Sequence, residues 1–163
     1  KSMSLSGERI GYFAVHPGFG DEETRSALRS TLYLNMRMRV VHAPLLQHRV
    51  LAKLPANCYT DVNYYRVNVE TLYACVSNIG YVSDMPEGTF YLWVVLPERY
   101  NGEERFRKFA QAGNDPLLYL PGVLFGGELY RNCVRFSCCV SQETIKQACV
   151  KLYKIDKNIV NER

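Results

Sequence analysis

The stretch Gly88–Val95 reads GTFYLWVV. From Phe90 onward every side chain is aromatic or aliphatic, so both alternating faces are apolar. The pattern predicts a β-strand buried on both sides. Upstream, Asp61 stands before Val62, Tyr65, Val69, Leu72, Val76 and Ile79. That three-four spacing makes one apolar stripe of a helix, with Asp61 as N-cap and Gly80 as its stop. Downstream, Glu103 to Ala112 predicts a short helix that turns Phe106, Phe109 and Ala110 inward. Leu117 to Leu120 predicts a short strand before Pro121-Gly122, and Cys133 to Val140 predicts another. In that last strand Val134, Phe136, Cys138 and Val140 make an apolar face, and Cys133, Arg135, Ser137 and Cys139 make a small, polar one around a single arginine. Ser141 caps a final helix buried through Ile145, Ala148, Cys149, Leu152 and Ile155, and the polar tail from Asp156 is expected to fray.

From Asp61 the order is therefore helix, strand, helix, strand, strand, helix. A small sheet covered by helices is the natural packing of such a series, an α/β fold of the α+β small-domain kind. The earlier part reads differently. Arg9 to Val15 (RIGYFAV) predicts a short strand stopped by His16-Pro17-Gly18. Asp21 caps a helix to about Val40, with Glu22 and Glu23 in its first turn. Pro44 opens a further helix to about Lys53, and Pro55 ends it. A lone strand cannot satisfy its own backbone groups. Residues 1–56 are therefore expected to be the remnant of a larger domain with its linking helices, and residues 57–163 a small domain of their own.

A chain of 163 residues, 47% hydrophobic and 22% charged, has ordinary globular composition. The net charge of +4 is mild and its cations are interspersed with carboxylates, which argues against a nucleic-acid face. No apolar run reaches membrane-spanning length. The 6 cysteines form no C-x-x-C pair and lie at no zinc spacing from the 3 histidines, so no metal is expected. Cys75 and Cys149 fall on apolar helix faces, as reduced thiols do in a reducing, cytoplasmic compartment.

The first residues carry chemistry. Lys1–Gly11 reads KSMSLSGERIG. A lysine amine can condense with an aldehyde and later carry a proton, and an arginine offers a rigid fork of donors to a phosphate. Gly7 and Gly11 would let the backbone turn sharply. Taken alone, Lys1 reads as a solvated terminal lysine and Arg9 as a surface residue on a strand, because so short a pair is not specific. The full spacing (Lys1, Ser4, Leu5, Gly7, Arg9, Ile10, Gly11) resembles the cofactor-lysine signature of class I/II aminotransferases, enzymes of fold type I that use pyridoxal 5′-phosphate (PLP). Pro86-Glu87-Gly88-Thr89-Phe90-Tyr91 resembles that family's P-x-G-[AT]-F-Y strand. Pro121-Gly122 with Phe125-Gly126 resembles its P-G-x-x-F-G loop. Val134-Arg135-Phe136-Ser137 resembles its arginine strand, and His42-Ala43-Pro44 with Gln47 its N-A-P…Q helix start.

The resemblance implies the C-terminal part of a PLP-dependent aminotransferase, beginning on the cofactor lysine. Lys1 would hold PLP and move the proton, Arg9 would grip its phosphate, and Arg135 would bind the substrate carboxylate. Arg131 is a rival for that last role. The implied substrates are an α-amino acid and a 2-oxo acid, and the implied parent is a homodimer with no nucleic-acid or membrane partner. The isolated chain is expected to be inactive, because the family's other cofactor contacts precede the lysine. A fold-type-I β-lyase or synthase shares these residues, and product analysis separates it. A non-enzymatic interaction module predicts salt-dependent nucleic-acid binding instead.

Overall fold

The computed structural model describes every residue except Lys1, Ser2, Ser4, Ala43 and Arg163. The chain forms two compact units, Lys1–Thr60 and Asp61–Arg163.

The first unit holds helix α1 (Glu22–Arg39) and helix α2 (Leu45–Leu51), after a 3₁₀ turn at Ser6–Glu8. Asp21 caps α1 as its sequence predicts, its Oδ1 accepting from the Thr24 N–H at 2.8 Å. Pro44 is the N-cap of α2 rather than its first helical residue. Neither helix contains a buried residue. The strand expected over Arg9 to Val15 does not form. No described segment offers it a ladder, and Tyr12 stands 96% exposed.

The second unit begins with α3 (Val62–Ile79), capped by Asp61 and ended by Gly80 in the left-handed region at φ 87°. Strand β1 (Tyr91–Val95), helix α4 (Glu103–Ala110), strand β2 (Leu120–Pro121), helix α5 (Val123–Gly126), strand β3 (Cys133–Ser137) and helix α6 (Gln142–Asn161) follow. The sheet order is β1-β3-β2, antiparallel throughout, with β3 in the centre. The strands are shorter than their apolar runs, and β2 sits at the very end of its expected segment, on Leu120 and Pro121.

One sheet face carries the core. Leu92 and Val94 of β1 lie opposite Phe136 and Val134 of β3, and all four are buried. They meet the stripes of α3 (Leu72, Val76) and α6 (Ile145, Leu152), which are also buried. The opposite face of β1, Tyr91 and Trp93, is only half-buried. The expectation of a strand buried on both sides is thus corrected. Aromatic residues fill both faces of the pattern, but the long helices α3 and α6 cover one face alone.

The C-terminal tail corrects another expectation. α6 runs on to Asn161, and Ile159 is 0% exposed. Asp156 is held as well. Its Oδ1 accepts from Arg99 Nη2 at 2.7 Å, from Arg99 Nε at 3.1 Å and from the Tyr100 hydroxyl at 2.6 Å. The Tyr100 hydroxyl in turn lies 2.8 Å from that of Tyr81, and burial pushes both phenols to higher pKa. This partly buried chain of bonds ties the turn at Glu98–Tyr100 to the last turns of α6. No described helix is long and apolar enough to cross a membrane.

Candidate functional site

Strand alternation places Arg135 on the sheet face that turns away from the core. Its register partners are Trp93 on β1 and Leu120 on β2. The guanidinium carbon lies 4.1 Å from the Tyr91 ring centroid and 4.5 Å from that of Phe125. Such stacking is favourable, because the ring face is the negative end of the aromatic quadrupole. The Nε atom is buried and has no hydrogen-bond partner among the described residues. No carboxylate among the described residues pairs with the side chain. A cation held by two rings and left without an anion is equipped to accept one.

The loop after β2 supplies half of this arrangement. Gly122 N–H donates to the Cys133 carbonyl at 2.7 Å. A Cβ on Gly122 would meet the Tyr130 carbonyl oxygen, Cys133 Cβ at 2.7 Å and Cys133 O at 2.8 Å. A Cβ on Gly126 would strike the Tyr130 ring, reaching its Cδ2 at 2.5 Å. Both glycines are thus required by close approach. They let α5 fold down on the sheet and bring Phe125 over Arg135. Trp93 completes the cluster, edge-on to Phe125 at 5.5 Å and to Tyr130 at 5.4 Å. The small residues on either side of Arg135 in β3 differ in exposure. On one side Cys133 is buried against the loop, and only the Ser137 side is open.

Arg131 sits elsewhere. It lines a groove of about 630 Å³ together with Glu98, Glu103, Glu104 and Glu128, which repel an anion. Glu103 also accepts from the Tyr119 hydroxyl at 2.5 Å, and burial, together with this bond, raises the phenol's pKa.

The other predicted site residues belong to the first unit. Lys1 lies outside the described residues. Arg9 is exposed and adopts φ 53°, a left-handed conformation that costs a non-glycine residue about 1 kcal/mol. Gly7 and Gly11, which the sequence offered as the turning points, do not have positive φ, so the sharp turn falls on Arg9 itself. Gln47 of the N-A-P…Q segment donates to Glu8 at 3.4 Å. These two residues, with Leu5, Ile10, Leu46, Val50 and Leu51, line a cavity of about 250 Å³ just beside Arg9 in the chain. Sequence reasoning missed Tyr91, Trp93 and Phe125 as parts of the site. They were read as core or as loop-motif residues, and only the ladder register brings them to Arg135.

No family model matches the chain. Half of the chain, 82 residues, is 26% identical to the transaminase BacF of Bacillus subtilis, covering 20% of that protein. A solved amino transferase from Eubacterium rectale is 31% identical, with a TM-score of 0.78 over 98% of this chain and 37% of its own. The α-aminoadipate aminotransferase LysN of Thermus thermophilus, solved with N-(5′-phosphopyridoxyl)-L-leucine, matches with a TM-score of 0.74 over 97% of this chain and 40% of its own. At 20% identity that second likeness shows the fold alone. The chain thus spans well under half the length of the proteins it resembles. Its structural neighbours are aminotransferases, and the three-stranded sheet with its helices has the fold of the aminotransferase small domain.

Proposed function

We propose that this chain is the C-terminal part of a PLP-dependent aminotransferase of fold type I, with residues 1–56 from the large cofactor domain and 57–163 as the small domain. The supporting observation is Arg135, a guanidinium clamped between two rings on the open sheet face with no carboxylate partner among the described residues. An α-carboxylate is planar, and two parallel hydrogen bonds from such a fork would fix its orientation. Phosphate suits Arg9, which is exposed and makes no ion pair with any described residue. The Lys1 amine has the chemistry to bind an aldehyde and to carry a proton to and from a substrate carbon. The donor set thus fits PLP, which when bound supplies the electron sink for charge developing at the substrate Cα.

In this reading Arg135 orients an α-amino acid or 2-oxo acid, Arg9 anchors the cofactor phosphate, and Lys1 moves the proton. The active form is a cytoplasmic homodimer of the full-length subunit, and the 163-residue chain alone is inactive. Kinetics of the full-length enzyme test the assignment. Arg135→Lys should raise KM for both substrates at least tenfold, and Arg131→Lys should leave KM unchanged. The reverse pattern would move the carboxylate site to Arg131. Keto-acid formation with amino-group transfer, against elimination, separates the transferase from a β-lyase or synthase.

A further inference from the structure

We infer that Phe125 and Tyr91 are positioning residues that act as a two-ring clamp on Arg135, so that an anion reaches this guanidinium only along its Nη edge. The inference rests on the carboxylate role proposed for Arg135. Three observations carry it. The guanidinium carbon lies 4.1 Å and 4.5 Å from the two ring centroids, so aromatic surface rather than polar atoms flanks it there. Its Nε edge is buried and meets no hydrogen-bond acceptor among the described residues. The Phe125 ring is itself braced edge-on by Trp93, and the loop that carries it is fixed by Gly122 and Gly126, neither of which has space for a side chain.

An arginine on a strand ordinarily samples many rotamers, and ordering it on binding costs free energy. Here the rings impose that order before any ligand arrives. The clamp also selects among the ways a carboxylate can meet guanidinium. The side-on mode through Nε is closed, and the end-on mode through both Nη atoms remains. Tyr91 belongs to strand β1 of the sheet. Phe125 belongs to the loop and is the half of the clamp that sequence variation could remove without disturbing the core, since it is half-exposed at 45%.

The test uses the isotope-labelled 163-residue chain, with pyruvate as the carboxylate probe. The Arg135 Nε–H resonance is assigned by its loss in Arg135→Lys. In the wild-type chain it should be moved upfield by ring currents and exchange slowly with water, and pyruvate should shift it saturably. Phe125→Leu should abolish the ring shift, speed exchange and weaken pyruvate binding about tenfold. Phe125→Tyr should restore all three, and Leu129→Ala on the same loop should change none. Thermal midpoints confirm that each variant folds. Pyruvate binding that is lost in Arg135→Lys but unaltered in Phe125→Leu would overturn the clamp alone. Pyruvate binding that is absent from the wild-type chain, or unchanged in Arg135→Lys, would overturn the carboxylate role of Arg135, and the clamp with it.

Discussion

Replacing Ile159 with alanine should destabilise the second unit by about 3 kcal/mol. Ile159 is 0% exposed although it lies in the last turns of α6, close to Asp156, Lys157, Asn158 and Asn161. The substitution removes the ethyl and γ-methyl groups, and at ~0.8 kcal/mol per buried carbon the transfer loss is about 2.4 kcal/mol. A residual void of roughly 30 Å³ adds about 0.7 kcal/mol at ~24 cal/mol per Å³. The neighbour Val160 is 44% exposed, and Val160→Ala should cost less than about 0.5 kcal/mol. Urea unfolding followed by tryptophan fluorescence reads this unit selectively, because the single tryptophan, Trp93, lies on β1. Equal, small losses for both variants would mean that the last turns of α6 are frayed, and the reasoning from burial would fail.

Gly122→Ala should cost about 2 kcal/mol or more, because its Cβ would overlap Cys133 and Tyr130, whereas Gly88→Ala meets nothing within 4 Å and should be nearly neutral; paired urea curves check the contrast. Asn68 is buried, and its Nδ2 donates to the Cys138 carbonyl at 3.1 Å and the Val140 carbonyl at 2.8 Å. Asn68→Ala would strand these acceptors at a cost of about 2 kcal/mol, measurable in the same assay. Burial pushes the Cys138 thiol up from 9.0 to about 12. Its folded pKa thus exceeds its unfolded one, so its contribution to stability is complete below about pH 9 and is lost as pH rises through 12. Denaturation midpoints should fall across that window, less steeply in Cys138→Ala, and an identical slope in both proteins would contradict the assignment.

The features legible in the sequence were those whose cause is local. Asp21, Asp61 and Ser141 each cap a helix through the N–H three residues on, and Gly80 ends one at positive φ. No distant residue can alter such signals much. The end of α6 was legible in part. Ile159 continues the three-four stripe from Ile155, but the intervening Asp156 and Lys157 suggested solvent. Asp156 is in fact held by Arg99 and Tyr100 from another part of the unit. Arg9 to Val15 has strand composition but gains no strand, because a ladder needs a partner that composition cannot supply. The same distinction governs the site. Arg135 could be singled out from its strand and from the resemblance, whereas the rings around it come from β1 and α5 and meet it only through register and the close approach at Gly122 and Gly126.

The central claim is that Lys1 holds the cofactor in the intact enzyme. The direct measurement is to load the full-length subunit with PLP, reduce it with borohydride and map the modified peptide. The account predicts a pyridoxyl group on Lys1 and none in Lys1→Ala. A label on another lysine, or no label at all, would contradict it.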